Sequence, residues 1–153
     1  MKRTRNRLLS IGSISTDTTN PMAVVDSLLW DIEHIRLSAK DRATVRRLRK
    51  EFDDLGCAGH ESEQDAASEI LEELTDLAGC YCPDYTYVGS HIGDGADFGV
   101  WPDHDATDDG FCFKGERADA GKEYTHCLEV NDHGNCSMFR RAGHRWILTW
   151  DCV

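Results

Sequence analysis

The sequence predicts an α+β fold: two or three N-terminal helices packed on a C-terminal antiparallel β-sheet, a meander of about four to five strands. Three observations predict it. Apolar residues recur at helical spacing through residues 20–79, and from residue 84 the pattern changes to period two. Breaks rich in Gly, Asn and Asp then cut the second half into short segments. With 153 residues, 40% of them hydrophobic, the chain can bury a core. The expected organisation is a basic, partly flexible arm over 1–19 and a single domain over 20–153, helical over 20–79 and β over 84–153.

The first helix begins at Asn20-Pro21, where Asn caps and Pro suits the first helical position. Val25, Leu28, Leu29, Ile32 and Ile35 follow as its apolar stripe. Ser38 caps the second helix, with Asp41 in the first turn and Val45, Leu48, Phe52 and Leu55 as its stripe. Arg42, Arg46, Arg47, Arg49 and Lys50 make its other face basic, and Gly56 suits its end. The third helix starts near Ser62 and ends at Gly79. Ala66, Ala67, Ile70, Leu71, Leu74 and Leu77 form its stripe, and Glu63, Asp65, Glu69, Glu72, Glu73 and Asp76 its acidic face. So short a link between the basic and acidic helices favours antiparallel packing and some internal charge pairing.

The β half begins with a strand through Tyr85 and Tyr87, a turn at Gly93-Asp94-Gly95-Ala96 and a return over Asp97–Trp101, stopped by Pro102. Residues 102–123 form an Asp/Gly-rich connection with a possible strand at Phe111-Cys112-Phe113. Residues 125–131 and 136–140 pair across Asp132-His133-Gly134-Asn135. Arg145 to Cys152 is the last strand, with Trp146, Leu148 and Trp150 expected on one face.

Charge is segregated along this plan. The formal net charge is −11, yet residues 1–50 carry +6, residues 51–112 carry −17 with no Lys or Arg, and residues 113–153 balance. Direct nucleic-acid binding by the whole molecule is disfavoured, because phosphate contacts need Lys and Arg. No stretch approaches the roughly 20 apolar residues that span a bilayer, so no membrane partner is expected. Residues 8–14 are too short and interrupted for a signal-peptide core. The seven cysteines, an odd number without a secretion signal, favour reduced thiols in an intracellular protein.

The strings Tyr87-Val88-Gly89-Ser90-His91-Ile92-Gly93-Asp94-Gly95-Ala96-Asp97-Phe98-Gly99-Val100-Trp101 and Val130-Asn131-Asp132-His133-Gly134-Asn135 resemble a family of small proteins from tailed bacteriophages and prophages. So does Ile14-Ser15-Thr16 leading into Asn20-Pro21. The resemblance implies action in the cytoplasm of a bacterial host. That family has no assigned activity, so it implies no catalytic residues. By analogy, small accessory phage proteins bind and disable host machinery, restriction and CRISPR systems included.

Three constellations are candidates for function. The first is an acidic contact surface for a host protein with a basic surface: Asp65, Glu69, Glu72, Glu73 and Asp76 on the third helix, with Asp103, Asp105, Asp108 and Asp109 in the following loop. Trp101, if exposed, would anchor such an interface. The second is a divalent-metal site, structural or catalytic, on His91, Asp94, Asp97 and His104. The Asp103–Gly110 run does not fit a calcium loop, because Lys114 stands where a bidentate Glu is needed. The third is zinc on Cys57, His60, Cys80 and Cys82. The intervening helix, about 16 residues at 1.5 Å each, would hold the two pairs roughly 24 Å apart, which argues against one site. No Gly-x-Ser-x-Gly elbow or Walker loop is present, and no residues jointly fill nucleophile, base and stabiliser roles. The leading expectation is therefore a non-enzymatic, host-protein-binding inhibitor without a cofactor. A metal-binding protein and a virion or assembly component are the alternatives.

Overall fold

A computed structural model describes residues 8–55 and 61–152, with the backbone alone at 61 and 62. The fold is α+β, with three helices before most of the strands. In order the elements are β1 (Gly12–Ser15), α1 (Pro21–His34), α2 (Ala39–Leu55), α3 (Glu61–Gly79), β2 (Thr86–His91), β3 (Asp94–Pro102), β4 (Cys112–Lys114), β5 (His126–Val130), β6 (Cys136–Ala142) and β7 (Arg145–Cys152). The strands form two sheets, ordered β1-β3-β2 and β4-β5-β6-β7. Length suggests one domain, whereas the described residues group into two compact units. One holds the residues up to Cys82 together with Val88–Trp101; the other holds Pro83–Tyr87 and the residues from Pro102 onward. No helix among the described residues is long and apolar enough to cross a membrane.

In the first unit the capping chemistry acts as the residue types dictate. The Asn20 side-chain oxygen accepts the Met22 N–H at 3.0 Å, with Pro21 beside it. Val25, Leu28, Leu29 and Ile32 are fully buried, and they meet Val45, Leu48, Ile70 and Leu74 of the other helices. Arg47 of α2 reaches Glu73 of α3 and Glu51 of its own helix, while Arg49 pairs with Asp26 and Glu33 of α1. Part of the charge segregation is thus answered internally.

The start of α2 is tied down by a knot that no periodicity reveals. The Ser38 hydroxyl accepts the Asp41 N–H and donates to the Asp41 carboxylate, and the Tyr81 hydroxyl donates to the same carboxylate at 2.5 Å. Those two hydroxyls, Ser38 first, hold the Asp41 carboxyl below its ordinary value. A depressed carboxylate stabilises the fold above its unfolded value, near 3.9, and that contribution disappears as pH falls through the lowered value. Tyr81→Phe is therefore expected to lower the melting temperature at neutral pH. Its deficit relative to wild type should narrow as pH falls below about 3.9 in melts followed by circular dichroism.

Residues 8–19, part of the expected flexible arm, carry structure; residues 1–7 lie outside the described residues. Leu9 is buried and donates its N–H to the Tyr81 carbonyl at 2.8 Å. Gly12, Ser13 and Ser15 pair antiparallel with Val100, Gly99 and Phe98, leaving Ile14 as the extra residue of a bulge. The hairpin between β2 and β3 is also tighter than the sequence implies. It turns at Ile92-Gly93, and Asp94 already belongs to the strand.

The second unit has its own core of Cys112, Cys127, Leu128, Met138, Phe139 and Trp150. It departs from the expected antiparallel meander at one edge, where β4 and β5 run parallel. The connection between them is stitched down by the Cys127 thiol donating to the Gly115 carbonyl and by Arg141. A second correction concerns the last strand. Leu148 pairs with Phe139 and Trp150 with Met138, so Thr149 is an extra residue opposite the step between them. This bulge turns Trp150 to the face opposite Trp146 and Leu148. Trp150 is buried and donates its indole N–H to the Asp84 carbonyl at 2.7 Å, whereas Leu148 stays half exposed.

Candidate acidic interface

In the first unit α3 packs on α1 and α2 through Ala67, Ile70, Leu74 and Ala78. Burying that stripe leaves the opposite face to solvent. Asp65, Glu69, Glu72, Glu73 and Asp76 are all exposed. At 100° per residue they occupy an arc about 100° wide along roughly 16 Å of axis. Among the described residues Glu73 alone of the five is ion-paired, to Arg47. The other four carboxylates form no ion pair there, although Glu69 lines the same cleft as Arg47.

Hairpin β2–β3 carries Trp101 and three of the metal candidates. Trp101 is half-buried, its indole N–H donated to the Gly89 carbonyl at 3.0 Å. The His91 ring stands edge-on to Trp101, and its Nδ1 accepts the Gly93 N–H at 3.1 Å. The Asp94 carboxylate accepts the Ala96 N–H, and one Asp97 oxygen accepts the Ser13 hydroxyl. The other Asp97 oxygen is buried without a hydrogen-bond partner. These side chains serve the hairpin and the β1 junction. His104 belongs to the other unit, exposed, with its carbonyl accepting the Thr107 hydroxyl.

In that second unit most carboxylates of the 103–109 loop have internal work. Asp103 accepts the Ala106 N–H, starting the short 3-10 turn Ala106–Asp108, and Asp108 pairs with Lys114 at 2.6 Å. Asp109 accepts the Phe111 and Cys112 N–H groups and the Tyr85 hydroxyl. The Phe111 N–H foremost, then Tyr85, holds its carboxyl below the ordinary value. Only Asp105 keeps its carboxylate without a hydrogen bond or ion pair among the described residues. The loop is built by its acids more than it displays them.

Among the described residues no three His, Cys, Asp or Glu side chains are grouped to hold a metal ion. Cys57 and His60 of the zinc candidate lie outside the described residues. Cys80 is exposed just after α3, its thiol turned to the Asp76 carbonyl; Cys82 is half-buried.

Sequence reasoning misses three features. Trp30 is exposed and stacked on His34, with ring centroids 4.1 Å apart. Its signal was available, because position 30 falls out of phase with the 25, 28, 29, 32 stripe. Tyr85 adopts a left-handed backbone, φ 61°, and meets His126 edge-on while donating to Asp109. Burial first, and then Asp109, pushes the Tyr85 hydroxyl far up, so it remains a donor rather than a base. The third is an open cavity of about 930 Å³ beside Arg117, Glu129, Val130, Arg145 and Trp146. Arg117 there is spent on Glu129 and lies over the Phe139 ring at 3.8 Å. With Glu116 also in the wall, the lining charges cancel and favour no ion of either sign. No protein-family model matches the chain, and neither a curated protein nor a solved structure does.

Proposed function

We propose that this chain is a binding protein whose helix α3 docks against the basic surface of another protein. The observation that supports it is the row of exposed carboxylates on α3, four of them without an ion pair among the described residues. Five carboxylates in roughly 16 Å give one charge per 3–4 Å, close to the roughly 3.4 Å per phosphate along one strand of DNA. A groove that binds a nucleic-acid backbone is therefore a suitable partner surface. Such a row raises association rate and selects partners by charge. Taken with the resemblance to tailed-phage proteins, the reading names a bacterial nucleic-acid-binding defence factor, of the restriction or CRISPR kind, as the protein inhibited.

The test is capture from bacterial lysate by the wild-type chain and by a Glu69→Gln, Glu72→Gln, Glu73→Gln, Asp76→Asn variant. The variant should retain its fold, since exposed charges contribute only about 0–1 kcal/mol each. It should lose the partner at least tenfold, and raising salt should weaken the wild-type complex in the same direction. Unchanged capture by a folded variant would remove α3 from the account.

A further inference from the structure

Cys136 and Cys152 stand directly opposite each other where β6 pairs with β7. The register is unbroken from this pair through Ser137–Asp151 to Met138–Trp150, and the bulge begins only beyond it. Cys136 is buried and Cys152 half-buried. Burial first, and then Cys152, pushes the Cys136 thiol up. The other described cysteines have different strand partners or none: Cys112 opposes His126, and Cys127 opposes Phe113 and Phe139. Burial pushes the Cys127 thiol up to about 11, and Cys112 upward as well. Cys136–Cys152 is thus the one cysteine pair in cross-strand register among the described residues.

Opposed residues of an antiparallel pair have Cα atoms about 4.5–5.5 Å apart and Cβ atoms at a similar distance. A disulfide needs Cα separations of roughly 4.4–6.8 Å and Cβ separations of roughly 3.5–4.5 Å. The backbone is already within range, and the side chains need to close by about 1 Å or less. The pair also sits at the far end of β7, an edge strand hydrogen-bonded on one side only. A bond there would staple that edge.

We propose that Cys136 and Cys152 are a redox-active dithiol that a hydroperoxide converts to a disulfide. The more accessible Cys152, as thiolate, attacks the peroxide O–O bond. An S–O bond forms, the O–O bond breaks, and the alkoxide that leaves (hydroxide, for hydrogen peroxide) takes up the proton Cys152 gave up, becoming an alcohol or water. Cys136 then attacks the Cys152 sulfur: the S–S bond forms, the S–O bond breaks, and hydroxide leaves with the Cys136 proton as water. The two thiols lose two electrons and the peroxide gains them.

The test uses the full reduced chain, graded hydrogen peroxide, alkylation of remaining thiols, and peptide mapping by mass spectrometry. The first product should be lighter than the starting chain by two hydrogens, with Cys136 linked to Cys152 and the remaining cysteines alkylated. Its melting temperature should rise by about 5 °C or more, as expected for closing a loop of this length. In a Cys136→Ser variant Cys152 should stop at a sulfenic acid that dimedone traps. Mapping of the wild-type chain decides the matter even if that variant fails to fold. Oxidation that begins at Cys80 or another thiol, with Cys136 and Cys152 still separately alkylated, overturns the proposal.

Discussion

Gly99→Ala is expected to destabilise the first unit by about 2–3 kcal/mol, the upper part of the range for overpacking. A Cβ at position 99 would lie 2.2 Å from the Gly12 carbonyl oxygen and 3.0 Å from Ser13 Cα. Both neighbours are backbone, so no side chain can swing aside. Relief requires β1 to lift from β3, which breaks the Ser13–Gly99 pairing. It also disturbs the junction where the Ser13 hydroxyl donates to Asp97. Urea unfolding should show the loss, and amide exchange at residues 12–15 should quicken more than in α1. Gly95→Ala is the control: its Cβ meets nothing within 4 Å, and it should change stability by less than about 0.5 kcal/mol. A Gly99→Ala chain as stable as wild type would mean that β1 is not held in this register.

Arg141→Ala is the second large effect, about 2–3 kcal/mol in the second unit. The Arg141 guanidinium donates to the carbonyls of Tyr124 at 2.9 Å, Ala120 at 3.2 Å and Gly121 at 2.7 Å. It also lies over the Trp146 ring at 4.2 Å. Removing it strands three carbonyls of the connection that lets β4 and β5 run parallel. Arg141→Lys should recover less than half of the loss, since a point charge cannot reproduce the planar fork. Thermal melts with tryptophan fluorescence would show it. Full rescue by lysine would mean that charge, and not geometry, holds the connection.

Both predictions sit on contacts that periodicity does not encode. The three helices were legible because Val25, Leu28, Leu29, Ile32 and their counterparts repeat at 3–4 residues, and because Asn20-Pro21 carries its own capping chemistry. The span of β7, Arg145–Cys152, was legible from its period-two pattern. Its facing was not, because a single extra residue, Thr149, inverts the alternation on which period-two reasoning depends. β1 was hidden for a related reason. Four residues, GSIS, have too little hydrophobic alternation to register, and the strand exists because Gly99 lets Gly12 approach it.

The candidate site was legible in part. The α3 face follows from helical spacing, which puts Asp65, Glu69, Glu72, Glu73 and Asp76 on one side of the helix, and all five are exposed. The 103–109 acids looked equivalent by composition alone. Their N–H and hydroxyl donors come from residues 85, 106, 111 and 112, and only the folded chain brings those to the carboxylates. Some pairing between a basic and an acidic helix followed from the short link; that it joins Glu73 to Arg47 is visible only in the folded chain.

The central claim is that α3 is the contact surface. Zero-length carbodiimide cross-linking of the captured complex, read by mass spectrometry, tests it most directly, because only a carboxylate touching a partner amine can be joined. Links from Glu69, Glu72 or Asp76 to partner lysines are the predicted result, and they should not form when salt dissociates the complex before the carbodiimide is added. Links confined to other carboxylates, such as Asp105 or Asp119, with α3 unmodified by the partner, would contradict the account.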